Sequence, residues 1–298
     1  MKLFAVVVTY HPDLKSLSRL VNYLMVGGAQ VVIVDNSPVE SFFDLGSLIN
    51  KVEFIKMGGN AGIAAAQNKG IRTSLAQGAE IIAFFDQDSA PDAGLLPSLV
   101  AALGIPPRGV VAPICVDMRN GKEYPPYRFN RWGWARRVPA LGLSGPLMVD
   151  MTISSGCMVA VEVFSRVGLM NEDFFIDFVD LEWCIRCCHA GVPIQVIPSV
   201  TMRHSIGTQV VKNGPLTTFV HSPVRNYYRL RNALLLVRMP QVPRLYALHQ
   251  ILAAFIHHLL QCQYSDDVRS HLRMGFLGLV DGLRGIGGKF ELPRRIRH

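Results

Sequence analysis

Short apolar runs rich in β-branched residues alternate along this chain with longer stretches of helical period. Leu3 to Thr9, Val31 to Val34, Val52 to Lys56 and Ile81 to Phe85 have strand length. Between them, Leu14, Leu17, Leu20, Val21 and Leu24 recur at helical spacing and stop at Gly27-Gly28. Ala61 to Gln77 is Ala-rich, helix-prone and closed by Gly78, and Pro91 is expected to open a further helix. Strands alternating with helices of this length predict βαβ units and a mainly parallel sheet, an α/β fold. Ligands of such sheets gather at the C-terminal ends of the strands, and polar residues cluster there in this chain.

Residues 118–150 lose this periodicity and carry Gly, Pro, Arg, Trp132 and Trp134, which predicts a long loop or lid. Ser154-Ser155-Gly156 precedes a short apolar stretch and a helical one. A run of aromatics and acids from Phe174 to Trp183 then leads into a helix through about Ala190. Residues 216–238, 244–262 and 268–284 read as three helices, followed by the basic tail Arg294-Arg295-Ile296-Arg297. The expected organisation is one α/β domain over residues 1–240 and a basic amphipathic helical segment over 241–298.

Composition sharpens this picture. Half of the 298 residues are apolar and 17% are charged, which excludes a disordered chain. Residues 203–298 hold 14 Lys+Arg against 4 Asp+Glu, whereas residues 1–202 hold 16 against 18. The asymmetry points to an anionic partner for the C-terminal third. Nucleic acid is not expected, because the basic segment matches no recognised module. No run approaches the roughly 18 apolar residues of a spanning helix, and the N-terminus reads as a strand and not as a signal peptide. The expected place is the cytoplasm, with Leu248, Ile251, Leu252, Phe255 and Leu259 lying on an anionic membrane surface. Capping of the preceding α/β domain and a homodimer face are the other readings of that stripe. Six cysteines make no disulfide framework, and Cys184-x-x-Cys187 lacks the second ligand pair that zinc requires.

The chemistry concentrates at a few positions. Asp86 and Asp88 follow an apolar strand two residues apart; if extended pairing persists to its end, their carboxylates converge and suit Mg²⁺ or Mn²⁺ holding a diphosphate. The plain alternative is two solvated acids in a turn. Asp35 ends the second strand beside Thr9 and Tyr10, where it can accept a bond from a pyrimidine or simply make an Asx turn. Asn60, Gly62 and Asn68 flank a helix N-terminus, an anion site or an ordinary cap. Asp177, Asp180 and Glu182 lie among aromatics. Asp180 is the best base there, its apolar neighbours limiting its solvation, and a helix cap is the alternative. His204 can complete a metal site. Arg225, Tyr227, Tyr228, Arg229, Arg231 and Asn232 form a basic-aromatic cluster on a helix, where Arg225 and Arg231 suit phosphate oxygens. No Gly-x-Gly-x-x-Gly and no Gly-x-x-x-x-Gly-Lys-Ser/Thr occurs, which removes support for an oxidoreductase or ATPase.

The ordered set Val6-Val7-Val8-Thr9-Tyr10-His11-Pro12, Val34-Asp35-Asn36-Ser37, Asn60-Ala61-Gly62 through Gly70, Phe84-Phe85-Asp86-Gln87-Asp88-Ser89 and Phe174 through Trp183 resembles family-2 inverting glycosyltransferases of the GT-A fold. It looks most like bacterial rhamnosyltransferases that use dTDP-L-rhamnose to build lipopolysaccharide or surface polysaccharide. The resemblance spans roughly residues 1–240. It implies that Thr9 and Asp35 contact the base, and that Asn60, Gly62 and Asn68 shape the nucleotide pocket. It places Asp86 near ribose and metal, with Asp88 on the metal. Asp180 matches the general base and His204 the post-catalytic histidine. Many relatives have Glu-Asp where this chain has Val179-Asp180, which leaves Asp177 as a second candidate base. The Gln-x-x-Arg-Trp motif of processive synthases is absent, so single-sugar addition is expected, onto a lipid-linked or lipopolysaccharide glycan. Another UDP- or GDP-linked donor, or a non-catalytic scaffold of a polysaccharide assembly, are the competing readings.

Overall fold

The computed structural model describes residues 1–38, 46–106, 108–204, 210–213, 216–219 and 221–291. The first half follows the predicted alternation. It contains β1 (Leu3–Thr9), α1 (Leu14–Val26), β2 (Gln30–Asp35), β3 (Glu53–Lys56), α2 (Ile63–Ala76), β4 (Ile81–Asp86), β5 (Ala90–Pro91), α3 (Leu95–Leu103) and β6 (Val110–Asp117). Every residue of β1 is buried, as a strand covered on both faces requires. On one side α2 approaches so closely that a Cβ on Gly70 would stand 2.3 Å from the Val6 side chain.

The second half contains β7 (Tyr127–Phe129), β8 (Ala135–Arg137), β9 (Leu147–Val149), β10 (Met158–Ala160), α4 (Glu162–Val167), α5 (Val179–His189), β11 (Ile194–His204), β12 (Val210–Asn213) and β13 (Leu216–Phe219). It closes with α6 (Pro223–Val237), α7 (Arg244–Tyr264) and α8 (Val268–Arg284). The main sheet runs β3-β2-β1-β4-β10-β6-β11-β5, with β9 also on β11. Pairing is parallel from β3 through β4 and between β6 and β11. The short β10 enters antiparallel between β4 and β6. Strand order reverses at β1, where β2 and β4 lie on opposite sides. Such a switch of direction places ligands at the C-terminal ends of the strands that flank it, here β1, β2 and β4.

Three expectations change. Pro91 does not open a helix. Ala90 and Pro91 pair with Arg203 and Met202 at the sheet edge, and α3 begins at Leu95. An edge strand tolerates a residue with no N–H. Residues 118–150, expected as a long loop or lid, carry the β7–β8 hairpin and β9. Residues 216–219 form a strand against β12, and the helix starts at Pro223, with the Ser222 side chain accepting from the Arg225 N–H. Ser before Pro is a strong helix start, which the preceding Thr-rich stretch does not share.

The boundary expected after residue 240 falls between α6 and α7, and α6 packs against both helices that follow it. Leu248, Leu252, Phe255 and Leu259 on α7 are exposed, while Ile251 is half-buried. Leu272, Phe276 and Leu283 on α8 are also exposed. Among the described residues, no helix is long and apolar enough to cross a membrane.

Candidate active site

At the switch point the strand ends are tied together by side chains. Asp35, buried at the end of β2, accepts on Oδ1 from Thr9 Oγ1 at 3.0 Å, Ser37 Oγ at 2.7 Å and the Ser37 N–H at 3.2 Å. Asn36 accepts from the Ala61 N–H at 2.8 Å and donates to Asn60 Oδ1 at 3.1 Å, which also takes the Gly62 N–H at 3.0 Å. The loops after β2 and β3 are thus one unit. On the other side, the Gln87 side chain accepts from the Tyr10 N–H at 2.7 Å and donates to the Tyr10 carbonyl at 3.1 Å. This paired contact joins the β1 loop to the turn that carries both acids of Asp86-Gln87-Asp88, while the Tyr10 ring stays exposed at the rim.

That turn is held from below. The Asp86 N–H donates to Ser89 Oγ at 3.1 Å and Ser155 Oγ at 3.2 Å, and the two hydroxyls lie 2.9 Å apart. Asp88 also lines a cavity of about 280 Å³ with Ser16, Arg19, Tyr23 and Met118. The backbone of His204 ends β11, one residue beyond the Arg203–Ala90 pair, and so stands beside this turn. The His204 side chain lies outside the described residues.

Asp180 is on the first turn of α5, half-buried, accepting the Ser154 N–H on Oδ2 at 3.0 Å. Burial among apolar groups, with a further contribution from the nearby Asp86 charge, pushes its carboxyl up to about 6. The Ser154 bond acts in the other direction. A carboxylate so placed is ionised near neutral pH and still basic enough to accept a proton. Asp177 has different surroundings. Arg225 Nε and Nη2 donate to its two oxygens at 3.2 and 3.0 Å, a two-pronged ion pair.

The loop that leads from Phe175 into α5 is strained. Phe175, Asp177 and Phe178 have φ of 60°, 61° and 65°, left-handed conformations that non-glycine residues adopt at a cost. Arg231 and Asn232 impose them. Asn232 Nδ2 donates to the carbonyls of Phe174 at 2.8 Å, Ile176 at 2.7 Å and Asp177 at 3.1 Å. Arg231 donates to the carbonyls of Asp173, Phe174 and Gly288 and lies over the rings of Tyr227 and Tyr228. Arg231 has no accessible surface, so this conformation offers its guanidinium to the loop and not to a ligand.

Gly62 and Asn68 also turn toward this loop. The Ile63 N–H donates to the Phe175 carbonyl at 2.8 Å, and a Cβ on Gly62 would stand 2.6 Å from that oxygen. Asn68 is buried, donating to the Met170 carbonyl and Glu172 Oε1 and accepting the Met170 N–H. The structure therefore brings Thr9, Asp35 and Asn60 together, joins Tyr10 to the Asp86–Asp88 turn, and sets Asn68 and Arg231 apart as braces. Gln87, Ser89, Ser154, Ser155 and Asn232 also support these positions. The sequence places Ser154-Ser155-Gly156 before a short apolar stretch but carries no local signal that a Ser155 hydroxyl meets the Asp86 amide and the Ser154 amide meets Asp180. The Cys184 and Cys188 thiols donate to the carbonyls of Thr152 and Asp150, and burial pushes the thiols of Cys184, Cys187 and Cys188 up, against both metal and redox roles.

Residues 6–168 match glycosyl transferase family 2. The dTDP-rhamnosyl transferase RfbF of Shigella flexneri is 39% identical over 291 residues, covering 97% of this chain and 98% of that protein. The S. aureus TarS 1-349 structure in complex with UDP-GlcNAc superposes with a TM-score of 0.59 at 14% identity, over 96% of this chain and 82% of TarS 1-349. GalNAc-T7 with UDP, GalNAc and Mn²⁺ superposes with a TM-score of 0.60 at 14% identity, over 80% of this chain and 48% of its own. At such identities the two structures speak to the fold alone. Sequence and fold together place the chain: it belongs to glycosyl transferase family 2, as a glycosyltransferase of GT-A fold.

Proposed function

We propose that this protein transfers a single L-rhamnose from dTDP-L-rhamnose to a hydroxyl of a lipopolysaccharide core or surface-polysaccharide acceptor, with inversion. The observation that carries the donor is the 39% identity to the dTDP-rhamnosyl transferase over nearly the whole of both chains. The arrangement of the strand ends supports the chemistry. The nucleotide would sit across the ends of β1, β2 and β4, with Thr9, Tyr10, Asp35, Asn60 and Gly62 framing base and ribose. Asp180 would take the proton from the acceptor hydroxyl as that oxygen attacks the anomeric carbon. Asp177, already committed to Arg225, serves to hold the loop.

The donor set fits a hard divalent cation. Asp86 and Asp88 offer carboxylate oxygens on one turn, and the charge of Asp86 reaches Asp180. Among the described residues, no group of three His, Cys, Asp or Glu forms a self-sufficient metal cage. Mg²⁺ and Mn²⁺ are commonly held by one or two carboxylates and completed by substrate phosphates. Asp86, Asp88 and, from β11, His204 are the residues that would hold the ion. When bound, it would offset the charge growing on the departing nucleoside diphosphate.

The exposed apolar residues of α7 and α8, beside Arg244, Arg269 and Arg273, support peripheral attachment to the cytoplasmic face of an anionic inner membrane. A homodimer is the competing use of the same face. The donor is tested by thermal shift with dTDP-, UDP- and GDP-sugars, with and without Mg²⁺ or Mn²⁺. A metal-dependent shift selective for dTDP-L-rhamnose is expected, since a ligand at a hundredfold excess over its Kd stabilises the folded state by about 2.7 kcal/mol. A shift selective for a UDP- or GDP-sugar would replace the donor, and no shift with any nucleotide would favour a scaffold role.

A further inference from the structure

A second charged cluster lies against the strained loop, around Asp177. Arg225 and Arg229 stand one turn apart on α6 and share a face. Asp177 takes the Arg225 fork. Arg229 has no such partner: among the described residues its Nε is buried without a hydrogen bond. His221, just before α6, and His257, on α7, bring their rings to a centroid distance of 5.5 Å. Two guanidiniums and two imidazoles thus gather around one carboxylate.

We propose that His221, Arg225, Arg229 and His257 form an anion site that takes a phosphate or diphosphate group beside the loop that carries Asp177 and leads to Asp180. Guanidinium offers five donors in a planar fork that matches phosphate oxygens. A buried donor left unbonded is costly, and a ligand oxygen would remove that cost. The electrostatics point the same way. Burial and the nearby arginines push His221 down to about 4 and His257 to about 3, so both rings are neutral at pH 7. Burial also pushes the Arg229 guanidinium down, against the pull of Asp177. Each of these groups would be relieved by an incoming anion.

In a glycosyltransferase two ligands carry this chemistry: the diphosphate of the donor, and the diphosphate of a lipid that carries the acceptor glycan. Only that choice of carrier rests on the function proposed above; the anion site itself does not.

The test is calorimetric titration of the full chain with inorganic pyrophosphate, dTDP and farnesyl diphosphate, for wild type, Arg229→Gln, Arg229→Lys and His257→Gln. Wild type is expected to bind pyrophosphate, Arg229→Gln to bind it about tenfold more weakly or worse, and Arg229→Lys to recover part of the loss. The His221 and His257 ring resonances should titrate at higher pH with pyrophosphate present, a readout that needs no variant to fold. Parallel loss for dTDP assigns the site to the donor, whereas loss confined to farnesyl diphosphate assigns it to the acceptor lipid. Wild type that ignores pyrophosphate overturns the site. So do folded Arg229→Gln and His257→Gln proteins that bind all three probes normally, with unmoved histidine titrations. Arg229-dependent pyrophosphate binding in a protein that transfers no rhamnose would retire the rhamnosyl reading and leave the site standing.

Discussion

The backbone N–H of Ser154 donates to Asp180 Oδ2 at 3.0 Å, so the turn entering β10 holds the carboxylate at the start of α5. That bond favours the ionised form, and burial outweighs it. Asp180→Asn keeps the shape and an acceptor for Ser154 but removes the base. Transfer should fall by about 10²–10⁴-fold with donor affinity retained. In wild type, kcat/KM should decline as pH falls through about 6. The same shift carries a stability cost. Between an unfolded value of 3.8 and a folded one of about 6, the folded protein binds more protons than the unfolded chain. Stability of the metal-free protein therefore falls as pH rises across that window and stays lower above it. Metal-free Asp180→Asn should be the more stable protein at pH 7, by on the order of 2 kcal/mol. Urea unfolding of both proteins at pH 4 and 7 checks this, and equal stabilities at pH 7 would contradict it.

Asp177 is held in a two-pronged pair by Arg225, and a base so committed is a poor proton acceptor. Asp177→Asn should therefore keep turnover within about tenfold of wild type, against the far larger loss at Asp180. Single-turnover rates of the two variants separate them. The reverse order would make Asp177 the base.

Gly62 has φ of 91°, and a Cβ there would meet the Phe175 carbonyl at 2.6 Å. Gly62→Ala should destabilise the protein by on the order of 2–3 kcal/mol, because both the backbone conformation and the contact penalise it. The strained 175–178 loop should loosen first. Hydrogen exchange at the Ile63 amide, which is bonded to Phe175, reports this directly. Protection at wild-type level would mean that the two segments are not coupled.

Asp88→Ala removes one of the two hard oxygen ligands offered by the turn after β4. Donor binding in Mg²⁺ or Mn²⁺ should weaken, with little change in metal-free binding. Titration of the nucleotide sugar against metal concentration makes the comparison. A variant with the wild-type metal dependence would remove Asp88 from the site.

Leu252 and Phe276 are exposed on neighbouring helices, at 58% and 66% of their full surface. The double variant Leu252→Glu, Phe276→Glu should lose flotation with anionic liposomes and keep its melting temperature. If instead the wild type stays in the soluble fraction and the variant changes from dimer to monomer, the face is a homodimer interface.

Much of the fold is written in local pattern. β1, α1, β2, α2 and β4 are legible because a strand buried on both faces and a helix with one apolar face each leave their own period in the chain. Asp86 could be placed at a strand end for the same reason, whereas Asp88 lies in the turn that follows β4 and not on an extended strand; Asp35 beside Thr9 follows from parallel pairing of neighbouring strands. Pro91 and residues 216–219 were misread because edge pairing depends on a distant partner, β11 in one case and β12 in the other. Arg231 looked like a phosphate ligand because a surface helix and a buried brace share one sequence pattern. Its partners Asp173 and Gly288 lie 58 and 57 positions away. The choice of Asp180 over Asp177 is likewise tertiary, since burial beside Ser154 tunes one carboxylate and Arg225 occupies the other. A sequence records which groups are present and their local period. Desolvation and long-range pairing, which decide what each charged group does, exist only once the chain has folded.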